Sequence, residues 1–258
     1  MANLVKTLAR GLISRDPMER FRLLRKMARR LTPEYRLKWP QMAWWQDADF
    51  NGVIDRFGEQ GGLNADRRWM IQQLARLIAD VDGDTAECGA WQGMGSYLIA
   101  RVNRAGERRR RHFVFDSFEG LSEPDEFDGG YWTGGDLAES EDTCRRNLAE
   151  FGDDVGIYKG WIPDCFQHLT DERFAFLHID VDLYQPTRDS LEFFYPRLNP
   201  GAVVLCDDYG FTTCPGATRA MDEFLEDKPE KAIPLSAGAG FFIRGTRTTP
   251  PLAPLPLS

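Results

Sequence analysis

The stretch Asp84-Thr85-Ala86-Glu87-Cys88-Gly89-Ala90-Trp91-Gln92-Gly93-Met94-Gly95-Ser96-Tyr97-Leu98 constrains this chain more than any other. It predicts a short strand, a glycine loop and a helix running through Ile99 and Val102. Gly89 and Gly93 let the backbone turn sharply and approach a bound molecule where a Cβ would collide. Such a turn brings the positive end of a helix, with its free N–H groups, to the carboxyl end of a strand. Open α/β sheets bind small polar ligands there. Strand-to-helix turns also carry glycines for steric reasons alone, so the loop acquires meaning only from its surroundings.

The pattern is Glu-x-Gly-x-x-x-Gly and departs from the Gly-x-Gly-x-x-Gly of dinucleotide binders. A carboxylate at Glu87 favours a cationic bound group over a pyrophosphate. About 20 residues further on, the apolar strand His112-Phe113-Val114-Phe115 ends in Asp116, which can accept both hydroxyls of a ribose. A nucleoside with a positively charged amino-acid tail points to S-adenosylmethionine. The plainer reading of Asp116 is a solvated acid at a strand end.

At 258 residues the chain can bury one large core, or one core and an accessory segment. No stretch approaches the roughly 18 apolar residues of a membrane span, and the first residues lack the apolar run of a signal peptide. Five cysteines, an odd number without a Cys-x-x-Cys pair, fit reduced thiols in a cytoplasmic protein. The net charge of −8 is uneven: residues 1–38 hold eleven Lys/Arg against three Asp/Glu, and the remainder 21 against 37. So acidic a main body is a poor partner for nucleic acid.

Asp16-Pro17 is a helix start, followed by Met18, Phe21, Leu24, Met27 and Leu31 at helical spacing among basic residues. Such a helix packs on the main body or a second subunit more readily than it serves a membrane surface. Residues 35–63, with Trp39, Trp44, Trp45, Gly61 and Gly62, form an aromatic cap or a packed connector. The expected division is therefore an N-terminal helical and aromatic extension (1–63, a cap or an oligomer contact), a main domain (64–247), and a loose Pro-rich tail (248–258). Homo-oligomerisation is expected.

Asn64 is positioned to cap a helix through Trp69 to Ile78, leading into the opening strand. Arg108 to Arg111 reads as a solvated loop rather than a nucleic-acid patch. Ser122–Asp142, acidic and glycine-rich around Tyr131 and Trp132, has the length of a lid or binding loop, after which Ser140 caps a helix. Strands follow at 156–159, 174–182 and 202–208, near Ile233 and at 240–244, with helices at 186–198 and 217–225. Strands alternating with helices predict an α/β fold, a doubly wound, mostly parallel sheet with an antiparallel edge.

Along a strand, His178, Asp180 and Asp182 should share one face, and the neighbouring strand ends in Asp207-Asp208. Four carboxylates at one sheet edge repel unless a cation or protons lie among them. All-oxygen donors suit Mg²⁺, Ca²⁺ or Mn²⁺. His178 is equally readable as a catalytic base or as a hydrogen-bonded core residue.

Four blocks carry a family resemblance: Glu87-Cys88-Gly89-Ala90-Trp91-Gln92-Gly93, Phe115-Asp116-Ser117-Phe118-Glu119-Gly120-Leu121, His178-Ile179-Asp180-Val181-Asp182-Leu183-Tyr184 and Asp207-Asp208-Tyr209-Gly210. They resemble the macrocin O-methyltransferase family, enzymes of antibiotic biosynthesis that methylate sugar hydroxyls. The resemblance spans roughly residues 64–244. It implies a Rossmann-like class I methyltransferase fold, S-adenosylmethionine and Mg²⁺ (or Mn²⁺), and a small-molecule acceptor, a glycoside. It also implies cofactor contacts at Glu87, Gly89, Ala90, Gly93, Ser96, Asp116, Ser117, Gly160, Trp161, Asp164 and Asp180. The metal would be held by Asp180, Asp207 and Asp208, with Asp182 as general base and His178 as a second catalytic candidate. After Gly160 the family pattern Asp-Thr-Leu-Pro is replaced by Asp164-Cys165-Phe166-Gln167, which bears on an adenine contact at Asp164.

Three other readings compete. A catechol or phenol O-methyltransferase would use a lysine base, for which the region Asp182 to Gln185 has no counterpart. A Rossmann oxidoreductase conflicts with the glycine pattern and leaves the four acids without a task. A non-catalytic S-adenosylmethionine-binding protein would have no need of the intact acids.

Overall fold

A computed structural model of the chain describes residues 13–32, 42–59 and 64–249. Trp39, Gly61 and Gly62, and all but the first two residues of the Pro-rich tail, lie outside the described residues. The chain divides into a smaller unit ending at Gly58 and a larger one beginning at Glu59.

The smaller unit contains α1 (Pro17–Leu31) and α2 (Ala48–Arg56). Asp16 caps α1 by accepting the Met18 N–H at 2.9 Å, just ahead of Pro17, as the sequence predicts. Leu24, Met27 and Leu31 are exposed along it. The second helix was not legible: it is nine residues long and has Gly52 at its centre, which weakens helix propensity. Asp47 secures it through the Phe50 N–H at 2.8 Å, and Phe50, Val53 and Ile54 are buried.

The larger unit is a seven-stranded sheet of β1 (Asp84–Cys88), β2 (His112–Asp116), β3 (Val155–Lys159), β4 (Phe174–Ile179), β5 (Leu198–Cys206), β6 (Ile233–Pro234) and β7 (Gly240–Ile243). Their order is β3-β2-β1-β4-β5-β7-β6. The first five are parallel, and β7 pairs antiparallel with both β5 and β6. The chain reverses its winding between β1 and β4, so the binding crevice of such sheets opens at the carboxyl ends of those two strands.

The connections are α3 (Ala65–Ala75), α4 (Met94–Ala105), α5 (Glu141–Leu148), α6 (Tyr184–Phe194) and α7 (Pro215–Leu225). Every residue of β4 is buried, as expected of a strand covered on both faces. Phe174 of this strand meets Phe113 and Phe194 edge to face, and Phe115, Phe166 and Phe194 interlock with one another in the same way. Ser140 caps α5 through the Asp142 N–H, as expected. Asn64 precedes α3 but does not cap it; its Oδ1 accepts from Arg67 at 2.9 Å. Among the described residues no helix is long and apolar enough to cross a membrane.

Two local features differ from the sequence-based expectation. The arginine run is only partly solvated. Arg110 is buried and donates to the carbonyls of Ile78, Val81 and Gly83, bracing the entry to β1. The strand expected to reach Asp182 stops at Ile179, and Asp182 has φ +60°, a left-handed conformation that Asp tolerates better than most residues. The alternation that would align Asp182 with His178 and Asp180 is therefore broken.

Candidate active site

Glu87 lies on β1 opposite His178 on β4, and its side chain is almost fully buried. Its Oε1 is 2.7 Å from His178 Nδ1, and its Oε2 accepts from the Ser96 hydroxyl. Gly95 makes room for it, because a Cβ there would overlap Glu87 Oε1. Ser96 Oγ is 2.9 Å from His112 Nε2, and His112 Nδ1 is 2.9 Å from Thr85 Oγ1, which accepts from Asn103 at 2.7 Å. This directs one chain of donors, Asn103 to Thr85 to His112 to Ser96 to Glu87, with His112 neutral and protonated on Nε2. Burial pushes His112 down to about 4, outweighing the Glu87 charge. Burial also works to raise the Glu87 carboxyl, but hydrogen bonding and charge from His178, with His112 and Ser96, hold it below its usual range.

The glycine loop is held from two sides. Gly89 has φ +81°, and a Cβ there would strike the Asp180 carbonyl, so only glycine lets the loops after β1 and β4 meet. Asp116 Oδ2 accepts the Ala90 and Trp91 N–H groups at 2.6 and 2.9 Å, and its Oδ1 accepts the Phe118 N–H at 2.6 Å. Gly93, with φ +90°, occupies the N-cap of α4.

A cavity of about 670 Å³ opens at this end of the sheet. It gathers ten of the expected residues: Glu87, Gly89, Ala90, Asp116 and Ser117 on the β1–β2 side, Gly160 and Trp161 after β3, and Asp180, Asp182 and Asp208 after β4 and β5. Gly93, Ser96, His178, Asp207 and Asp164 are outside its wall. The first four lie behind it as supports, and Asp164 is exposed at the start of a 3-10 turn. The departure from the family pattern beside Asp164 has a packing reason: Cys165 and Phe166 are core residues, Phe166 meeting Phe115 and Phe194 edge to face and Phe193 at a tilt.

The acids fall into two groups, His178 with Asp180 and Asp207, and Asp182 with Asp208 and Cys214. Asp207 is ion-paired with Arg67, and Arg68 reaches Asp180 at 3.2 Å and Glu59 at 3.4 Å. Asp208 Oδ2 accepts the Asp182 N–H at 2.8 Å, and the Cys214 thiol donates to Asp182 Oδ1 at 3.4 Å. Burial, then Asp180, pushes Asp182 up to about 7. Burial and the other three acids raise Asp208 well above the carboxylate range, and burial with Asp207 raises Asp180. Burial would raise Asp207 as well, but His178, Arg67 and Arg68 depress it. His178 is raised to about 10: burial opposes its charge, yet Asp207 and Glu87 on either side outweigh the cost.

Three carboxylates of raised pKa face one cavity, and Arg68, 3.2 Å from Asp180, offsets only part of their charge. Behind them, Asp207 Oδ1 and His178 Nε2 are buried without a hydrogen-bond partner, 3.6 Å apart. Oxygen donors so arranged suit a hard divalent cation.

Sequence reasoning missed Arg67, Arg68, Gly95, Leu121, Ile162, Gln185 and Asp189, which all line the cavity. The arginines carried a signal: they sit in the first turn of α3, where the helix dipole disfavours cations, so outside acids had to answer them. The segment Ser122–Asp142, expected to be a lid or binding loop, supplies Ser122, Glu123, Asp125, Trp132 and Leu137 to the wall, next to Leu121. Its buried Asp128 accepts the Tyr184 N–H at 2.6 Å and so caps α6 from outside the helix. Trp132 Nε1–H donates to Cys214 Sγ at 3.4 Å, linking this segment through the thiol to Asp182.

Residues 67–235 match the sequence profile of the macrocin O-methyltransferases (TylF). Over 202 residues the chain is 34% identical to demethyldecarbamoylnovobiocin O-methyltransferase of Streptomyces niveus, covering 69% of this chain and 75% of that one. It is 37% identical over 150 residues to an 8-demethyl-8-(2,3-dimethoxy-alpha-L-rhamnosyl)-tetracenomycin-C 4'-O-methyltransferase of Streptomyces olivaceus, covering 54% of this chain and 58% of that relative's length. Among solved structures, the O-methyltransferase NovP superposes with a TM-score of 0.61 at 29% identity, covering 69% of this chain and 79% of its own. A calicheamicin methyltransferase gives 0.63 at 20% identity, covering 91% and 95%, which speaks to fold alone.

Proposed function

The chain belongs to the macrocin O-methyltransferase family, and from that premise we propose that it methylates a hydroxyl of a small-molecule acceptor, a sugar of a glycosylated natural product, using S-adenosylmethionine. One observation carries the reading: a single cavity of about 670 Å³ joins the Glu87 and Asp116 side to the Asp180, Asp182 and Asp208 side.

Bound S-adenosylmethionine supplies the electrophilic methyl group. The chain's part is to hold and orient it. Glu87, kept ionised by His178 and Ser96, faces the cationic amino-acid end. The loop from Gly89 through Gly93 provides close backbone approach, and Asp116 pairs with the ribose while pinning that loop. Ser117, Gly160 and Trp161 form the wall for the adenosine end. Asp164, exposed just beyond Trp161, is kept as a candidate for the adenine end.

A divalent cation, Mg²⁺ or Mn²⁺, held by Asp180, Asp207 and Asp208 would supply Lewis acidity at the acceptor hydroxyl. Asp182 takes the hydroxyl proton as the O–C bond forms and the S–C bond breaks. His178, buried behind the cavity, positions Glu87 and Asp207 and is assigned no proton transfer with the substrate. Five buried free thiols suit a reducing compartment, which makes the cytoplasm the proposed location. The basic extension is offered as a cap or a contact between subunits.

The test is methyl transfer followed by mass, with glycosides and catechols as parallel acceptors, and calorimetry for S-adenosylmethionine. Methylated glycoside, abolished by EDTA and restored by Mg²⁺ or Mn²⁺, is expected. Methylated catechol alone would move the enzyme to the phenol class, and full activity in EDTA would remove the metal.

A further inference from the structure

Asp182 has one carboxylate oxygen engaged and one open. Its left-handed backbone, φ +60°, groups the carboxylate with Asp208 and Cys214 rather than with His178 and Asp180. Oδ1 accepts from the Cys214 thiol at 3.4 Å. Among the described residues none donates to Oδ2, and Asp182 lines the cavity.

Cys214 is itself firmly held. It is buried at the N-cap of α7, where its N–H donates to the Phe211 carbonyl at 3.1 Å and its carbonyl accepts the Thr218 N–H at 3.4 Å. Its sulfur has Trp132 Nε1 and Asp182 Oδ1 at 3.4 Å, with Thr213 Oγ1 further off at 3.7 Å. An indole N–H can only donate and an ionised carboxylate can only accept. The sulfur therefore receives the indole proton and aims its own at Asp182, which fixes the order Trp132 to Cys214 to Asp182. Burial, with Asp208 next, pushes this thiol up to about 12, so at neutral pH it is a donor and no metal ligand.

The far end of this chain stands in the cavity wall. Trp132 is half-buried, lines the cavity and packs on the core. Its segment is fastened where α6 and α7 begin: Asp128 accepts the Tyr184 N–H at 2.6 Å, and a Cβ at Gly216, in the first turn of α7, would overlap Asp128 Oδ1. A molecule seated on the indole face meets the same side chain whose N–H sets the thiol.

On the O-methyltransferase reading above, with Asp182 as base, we propose that Trp132 and Cys214 are its positioning residues: the indole orients the thiol, the thiol holds Oδ1, and Oδ2 is thereby presented to the acceptor hydroxyl. Neither exchanges a proton with the substrate. Seating of the acceptor and removal of its proton are then coupled through two hydrogen bonds.

Two measurements test this. Infrared absorption reads the S–H stretch of a thiol apart from other protein bands, and the Cys214 band is the one lost in Cys214→Ala. In the cofactor-free protein it should move to higher frequency in Asp182→Ala, where the thiol loses its acceptor, and should move in Trp132→Phe as well. A band indifferent to Asp182→Ala would overturn the proposal. The second measurement is kinetic, with whichever acceptor, glycoside or catechol, the wild type methylates. In Cys214→Ala kcat should fall about tenfold, the scale of one hydrogen bond to a charged group, with KM and S-adenosylmethionine affinity within about twofold. Cys214→Ser, which keeps a donor and an acceptor in place, should recover most of the loss. Trp132→Phe should also lower kcat, yet combining it with Cys214→Ala should cost nothing further, because the indole acts through the thiol. A lower melting temperature with kcat unchanged in Cys214→Ala, equal losses in the serine and alanine variants, or additive losses in the double variant would each overturn it. Wild-type protein that methylates neither class of acceptor, or Asp182→Asn with normal turnover, would instead reject the parent reading, and would do so without moving the S–H band.

Discussion

Glu87 Oε1 and His178 Nδ1 meet at 2.7 Å across adjoining parallel strands, at the point where the sheet reverses its winding. The pair ties the cofactor side of the cavity to the acidic side, since His178 Nε2 faces Asp207. With His178 raised to about 10 against an ordinary 6.5, its stabilisation is complete below pH 6.5 and is lost as pH rises through 10. Urea unfolding should therefore weaken between pH 6.5 and 10 with a slope of up to about 1.4 kcal/mol per pH unit. His178→Gln should be less stable at neutral pH and should lose most of that slope; an unchanged slope would mean His178 is not the group responsible.

His112 works in the opposite direction and a separate window. Its folded-state value of about 4 lies below 6.5, so its contribution is present above 6.5 and is lost as pH falls through 4. Stability should drop by roughly 3 kcal/mol across that range, and His112→Gln should flatten the drop. Acid unfolding curves of the two proteins, measured side by side, decide it.

Asp182→Asn should still bind cofactor and metal, yet turn over roughly a hundredfold more slowly, the scale of losing a general base. The wild-type rate should rise with pH as Asp182, near 7, gives up its proton, and a bound cation should shift that limb to lower pH. Normal turnover in Asp182→Asn would require another base.

Arg67 neutralises Asp207 and therefore competes with any cation for that carboxylate. Arg67→Ala should lower the melting temperature of the metal-free protein and tighten its apparent Mg²⁺ affinity by about tenfold, near 1.4 kcal/mol. Calorimetric titration without substrate reads this directly. Weaker Mg²⁺ binding in the variant would instead make Arg67 part of the metal site's support.

Asp128→Ala removes the acceptor of the half-buried Tyr184 N–H at the head of α6, a loss of about 1 kcal/mol. Amide exchange in residues 121–140 should accelerate and the acceptor KM should rise, with cofactor affinity little changed. Exchange as slow as in the wild type would mean the segment is anchored elsewhere.

The parts of the site legible in the sequence are those fixed by local geometry. A glycine loop after a strand and acids just past apolar strands are one-dimensional signals, and Glu87, Gly89, Asp116, Asp180 and Asp208 all reach one cavity. What escaped was long-range. Arg67 meets Asp207, and Asp128 meets Tyr184, only once the sheet has brought distant segments together. Periodicity also misled at Asp182, because it assumes an extended backbone where the chain has already turned into the left-handed region.

The order β3-β2-β1-β4-β5 has a further consequence. The residues proposed for the cofactor come mainly from strands on one side of the reversal, and those for the proton and the metal from strands on the other. The segment 121–137, outside both, supplies much of the remaining wall. Because that segment carries none of the residues proposed to hold the metal or take the proton, substitutions in it away from Trp132 should alter the fit of the acceptor while the strands beneath keep their register.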